Sequence, residues 1–117
     1  MTAENFNPHS NALMCSMDTI NIAQAAAGTT EIVAKQAGLT PALHGMVGSL
    51  DATGTIEIQD KDGTTVVPAI AAAANAPIPI PLCPYRAMCK KAGEGLGLQV
   101  VTVGGAFVGY AVWSVDK

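Results

Sequence analysis

Residues 56–67 read Ile56-Glu57-Ile58-Gln59-Asp60-Lys61-Asp62-Gly63-Thr64-Thr65-Val66-Val67, or IEIQDKDGTTVV. Two structures compete for this stretch. Its centre has the look of a calcium loop. Its flanks alternate apolar and polar residues, which is the pattern of a β-hairpin. An EF-hand loop needs an oxygen ligand at its first position, glycine at the sixth and glutamate at the twelfth. With Gly63 at the sixth position, Asp60 and Asp62 fall on ligand positions, but the first position is Ile58 and the twelfth is Ala69. Both essential ligands are missing, and the flanks are strand-like rather than helical. Asp-Gly between two β runs is a turn signal, because glycine accepts positive φ and aspartate tolerates it. Ile56 and Ile58 then share one face, with Thr55 and Glu57 on the other. The charged tip, Asp60 to Gly63, marks a solvent-facing end of the fold.

Working outward from this hairpin, short β runs recur between Gly, Pro, Asn and Asp. Residues 29–35 (TTEIVAK), 43–52 (LHGMVGSLDA) and 54–60 (GTIEIQD) read as strands. Residues 37–41 (AGLTP) read as a turn, and Gly45 and Gly48 loosen the second strand. Residues 64–69 (TTVVPA) form a strand that Pro68 stops or confines to an edge. In AAAANAPIPIPL, Pro77, Pro79 and Pro81 alternate with Ile78, Ile80 and Leu82. Prolines donate no ladder bonds, so this is an extended edge segment whose apolar residues close one side of a core. YRAMCKK is a short strand or loop. Residues 96–103 (LGLQVVTV) and 106–115 (AFVGYAVWSV) predict a last hairpin about Gly104-Gly105.

On that last strand Phe107, Ala111, Trp113 and Val115 share one face, and Val108, Tyr110 and Val112 the other. A strand apolar on both faces is covered on both, by the core on one side and by the N-terminal arm or another subunit on the other. Ile20 and Ile22 support a short edge strand near the N-terminus. A helix through IAQAAAG would have almost no apolar face. About eight short strands in this span indicate an all-β, antiparallel β-sandwich of jelly-roll-like type. It occupies residues 28–117, preceded by an extended arm, residues 1–27.

Composition narrows the function classes. The 117 residues suit one domain, and half of them are apolar although only 4% are aromatic. Charged residues make up 13%, against roughly 25% in an ordinary soluble domain. So few charges on a small domain imply that part of its surface is hidden against partners. A net charge of −3, with basic residues that form no stripe, argues against nucleic acid. The N-terminus lacks the basic and apolar regions of a signal peptide. The longest apolar run is cut by five prolines and asparagines between Pro68 and Pro81, so it is no membrane helix. Cys15, Cys83 and Cys89 fit no disulfide framework and no metal pair, and read as small buried hydrophobes in a reducing compartment.

Catalytic patterns are weak. Cys83 or Cys89 with His44 or His9 would make a Cys–His pair, but no local context marks either thiol as activated. Ser10, Ser16, Ser49 and Ser114 lie in unrelated settings, and no nucleophile elbow is present. Glu31 and Glu57 fall on solvent faces, within cross-strand reach of Lys35 or Lys90. In KKAGEGLGLQV, residues 90–100, the glycines permit a tight turn that leads into the face of Leu96, Leu98 and Val100; no GKS or GKT follows. The expectation is a non-enzyme with no cofactor and no metal.

Taken together, GTTEIVA, GTIEIQDKDGT, IPIPL, AGEGLGLQV and GAFVGYAVWSV, in that order and spacing, resemble a family of small β-sandwich structural proteins of tailed bacteriophages and prophages. The resemblance spans residues 28–115. Gly95 and Gly97 depart from the Ala and Asn usual at that turn, and Tyr85 stands loosely for the aromatic before it. The resemblance implies a virion component made in the host cytoplasm. In particular it implies a capsid decoration (cement) protein on the capsid exterior, partnered by the major capsid protein and by copies of itself as a homotrimer, with no nucleic acid and no membrane. Phe6 and Leu13 of the arm, with Val108, Tyr110 and Val112, are the candidate interface residues. The alternative is a host-recognition or fibre-associated binding module of the virion.

Overall fold

The computed structural model describes residues 17–78, 80–81, 83 and 89–116. It is an all-β sandwich of two antiparallel four-stranded sheets. The strands are β1 (Asp18–Ala23), β2 (Thr29–Val33), β3 (Thr40–Leu50), β4 (Gly54–Gln59), β5 (Thr65–Ala72), β6 (Lys90–Lys91), β7 (Leu98–Val103) and β8 (Phe107–Asp116). One sheet has the order β1-β8-β3-β6 and the other β2-β7-β4-β5. The pairs β1–β8, β2–β7, β3–β6 and β4–β5 are therefore nested about the 60–64 turn. That is the pairing of a jelly roll, a long hairpin rolled into two sheets.

Ile56 and Ile58 are fully buried, as the alternation requires. Val100 and Leu98 of β7 join them, and across the sandwich Met46 and Leu50 of β3 and Phe107 and Ala111 of β8 complete the core. β1 is an edge strand whose Ile22 is buried opposite Gly109. Gly48 also sits opposite Gly109. A Cβ on Gly48 would meet the Phe107 ring at 2.8 Å and the Val108 carbonyl at 2.3 Å. The two glycines thus let β3 and β8 approach while the phenyl ring fills the space between the sheets.

Two strand bounds and one connection differ from expectation. The strand read as starting at residue 43 begins at Thr40, taking in Pro41; the proline carbonyl still accepts a hydrogen bond from the Ala92 N–H (3.1 Å). β5 runs on through Pro68 to Ala72, and it does so on the sheet edge, where a missing N–H is tolerated. Residues 96–103 and 106–115 do not form a hairpin. β7 and β8 lie in different sheets. Each already has two neighbours, β2 and β4 for β7, β1 and β3 for β8, so Gly104-Gly105 carries the chain across the sandwich instead. The proline-rich segment behaves as an edge: the Ile78 N–H bonds to the Gly48 carbonyl, Ile78 is buried and Ile80 packs against the core. Leu82 and Pro79 lie outside the described residues.

The crossing end is tied by one side chain. The Gln24 carboxamide donates to the Gly28 carbonyl (3.1 Å) and the Thr30 hydroxyl (3.0 Å), and accepts from the Thr102 hydroxyl (2.7 Å) and the Phe107 N–H (2.9 Å). All four of its hydrogen-bonding positions are used. Nearby, the Asp51 carboxylate accepts from the Ala106 N–H (2.7 Å). Replacing Gln24 by Ala leaves several polar groups without partners, at a cost of about 1–3 kcal/mol. Urea unfolding should show that loss with an unchanged slope; a variant as stable as the parent would refute the role given to Gln24.

Candidate functional site

The outer face of the β1-β8-β3 part of its sheet is the first candidate. Antiparallel register sets Thr19, Val112 and Gly45 in one row, Asn21, Tyr110 and Val47 in the next, and Ala23, Val108 and Ser49 in the third. None of these nine residues is charged. Val108 is 54% exposed and Val47 44%, which is high for valines in the middle strands of a sheet. Tyr110 and Val112 are half-buried. The other sheet contrasts with it. There Glu31 stands opposite Gln99, which stands opposite Gln59, and Glu57 stands opposite Val101. The three central rows of the first face are thus uncharged, while Lys91, opposite Ala42, and Asp116, opposite Thr40, lie beyond them on the same sheet.

The structure brings Val108, Tyr110 and Val112 together on that uncharged face. Alternation does not mark Val47 in the sequence, because the glycines at 45 and 48 interrupt it. Phe6 and Leu13 lie outside the described residues.

The second candidate is a histidine–thiol cluster at the β6 edge. β3 and β8 slip register between Leu43 and Gly45, so His44 is the extra residue of a β-bulge. Its ring is almost fully buried. Nδ1 lies 2.6 Å from the Cys83 carbonyl oxygen and Nε2 lies 2.8 Å from the Ser114 hydroxyl. A carbonyl only accepts, so Nδ1 carries the proton and Nε2 accepts from Ser114. Cys89 Sγ lies 3.3 Å from Nδ1 and 3.0 Å from Cys83 Sγ. A cleft of about 260 Å³ opens beside the cluster, walled by Val67, Ile70 and Ile80, with Cys83 and Cys89 along one side.

Of the two histidines and three cysteines in the sequence, the structure assembles His44, Cys83 and Cys89; His9 and Cys15 lie outside the described residues. The ring does not have the arrangement of a general base toward Cys89. Its Nδ1 donates, and its one lone pair points to Ser114. The Sγ atoms of Cys83 and Cys89 lie close, which sequence spacing alone did not disclose.

The opening hairpin is a structural turn. The Asp60 carboxylate is buried and accepts from the N–H groups of Asp62 (2.9 Å) and Thr64 (3.0 Å). Gly63 has φ 97°. Lys61 pairs with Glu31 and Asp62 with Lys35, so the partner of Glu31 is Lys61 rather than Lys35 or Lys90. Glu57 instead accepts from the Thr65 hydroxyl. Asp62 is half-exposed, as a solvent-facing tip requires. A recess of about 260 Å³ is lined by Ile32 and Val33 of β2, Leu39, and Trp113 and Val115 of β8. The indole N–H of Trp113 is buried and has no partner among the described residues.

No family model matches this chain, and neither does any curated protein or solved structure.

If Asp60 serves only the turn, Asp60→Ala should cost about 1–2 kcal/mol through the two orphaned N–H groups. Calcium at millimolar concentration should leave the melting midpoint of the intact protein where it is. A calcium-dependent rise that disappears in the variant would restore the metal-loop reading.

Proposed function

We propose that this chain is a structural protein of a phage particle, a decoration protein that sits on the capsid exterior and stabilises the shell. The observation that carries this reading is the uncharged outer face built from Val47, Val108, Tyr110 and Val112. A monomeric sandwich would ordinarily spread its few charges over both faces for solubility. Here one face has none in its three central rows, while the other carries Glu31 and Glu57. Such a face is suited to burial against protein.

In this reading the sandwich is a rigid block. Its uncharged face packs against sister copies in a homotrimer. The arm, with Phe6 and Leu13, lies along the major capsid protein, and ordering it there adds contact area. The recess lined by Trp113 gives an arriving segment an apolar seat. Each copy contributes a modest affinity, and the closed symmetry of the trimer multiplies it. A shell then gains resistance to internal pressure from many contacts, none of which has to be strong.

Mixing the purified protein with undecorated shells should give saturable binding and raise the temperature at which the shells fall apart. Failure of both would sink the proposal, and binding to host cells in their place would favour a recognition module. Val108→Lys adds a charge at a half-exposed position, so the fold should survive while light scattering shows a smaller particle mass. An unchanged mass would clear that face of the role. Deleting residues 1–16 should weaken shell attachment and leave the melting midpoint intact.

A further inference from the structure

The histidine–thiol cluster carries an inference independent of any virion role. We propose that Cys83 and Cys89 form a reversible internal disulfide that clasps the β6 edge of the sandwich, closed by a small-molecule disulfide and opened by a small-molecule thiol.

The placement of the two sulfurs is held by one residue of β3. The Cys83 N–H bonds to the His44 carbonyl (2.6 Å), and the Cys83 carbonyl accepts from His44 Nδ1. Both backbone groups of Cys83 are thus anchored at the bulge. Cys89 precedes β6, whose Lys90 pairs with Leu43, the residue before His44. Its sulfur lies 3.0 Å from that of Cys83. A disulfide bond is about 2.05 Å long, so closure asks the sulfurs to move by roughly 1 Å. Chain separation does not oppose it, since a loop of this size is readily closed. Cys89 is buried and Cys83 is half-buried, and both line the cleft. The cleft therefore gives a small reagent a path to the more exposed thiol.

The chemistry balances as thiol–disulfide exchange. The Cys83 thiolate attacks one sulfur of oxidised glutathione; the glutathione S–S bond breaks and one glutathione thiolate leaves. Cys89, as thiolate, then attacks the Cys83 sulfur, and the second glutathione thiolate leaves. The two protein thiols lose two electrons, which reduce the external disulfide, and their two protons end on the two glutathione thiols. His44 Nδ1–H, directed at the Cys83 carbonyl and 3.3 Å from Cys89 Sγ, is a positioning donor that holds both cysteines at this spot. Excess thiol reverses each step. The closed form ties the chain between Cys83 and Cys89 into a covalent loop and so restrains the unfolded chain.

The test uses the full-length protein, first reduced, then incubated under native conditions with oxidised glutathione, quenched, alkylated and mapped by mass spectrometry. The expected product links Cys83 to Cys89, is lighter by two hydrogens, and leaves Cys15 open to alkylation. Its melting midpoint should lie several degrees above that of the reduced protein and return after dithiothreitol. Cys15→Ser should keep the shift, while Cys83→Ser and Cys89→Ser should each abolish it. A stable glutathione adduct on Cys83, a bond to Cys15, full alkylation of both thiols, or an unchanged midpoint in the linked product would overturn the proposal. The mapping of the parent protein decides the case even if a serine variant fails to fold.

Discussion

The carboxamide of Gln24 is the point on which the two sheets depend. Every connection except the 60–64 turn passes from one sheet to the other. At the crossing end, three connections therefore leave their strand partners within a short distance of each other. Backbone groups freed there need new partners, because buried N–H and C=O groups do not stay unpaired. Gln24 supplies four bonds, to Gly28, Thr30, Thr102 and Phe107. Thr102 in turn accepts from the Gly28 N–H. The opposite end is held differently, by backbone bonds from Gly95 to Leu39 and from Lys61 to Leu96. The ion pairs of Lys61 with Glu31 and Lys35 with Asp62 surround them. Exposed pairs of that kind contribute little, so the polar knot at Gln24 matters more than the visible charges.

Nesting of the strand pairs gives the hairpin at Asp60 a second importance. It is the one pairing between sequence neighbours among the described strands. Once β4 and β5 have met, each further pair outward closes a loop already shortened by the one inside it, and loop-closure entropy falls accordingly. The Asp60 carboxylate, by fixing the turn, sets the register from which β3–β6, β2–β7 and β1–β8 follow. Non-local pairs of this sort still make such folds slow to form.

Much of this was legible in the sequence, and the failures have physical causes. Ile56 and Ile58 disclosed a strand because alternation is a local signal that burial later enforces. Pro68 disclosed an edge because a proline cannot donate to a ladder. β8 disclosed two apolar faces because Phe107 and Ala111 alternate with Val108, Tyr110 and Val112. Gly104-Gly105 misled because a tight hairpin and a crossing arch call for the same small residues. Only the partners β1 and β3, distant in sequence, decide between them. The His44 cluster was visible as residue types but not as a place. A one-residue bulge and a hydrogen bond between positions 44 and 83 create it, and neither leaves a periodic trace.

The two candidate regions meet on β3. Val47 projects from the uncharged face, and His44, three residues earlier, anchors both cysteines at the neighbouring edge. The same sheet therefore carries both the face proposed for protein contact and, at its margin, the proposed clasp. A face binds well when the strands beneath it hold one shape, since any freedom lost on binding subtracts from affinity. β6 is the shortest strand of that sheet, two residues long, and so the weakest support for it. A covalent clasp beside β6 would fix the sheet where hydrogen bonding fixes it least. It would do so without adding a charge to the central rows of the proposed contact face.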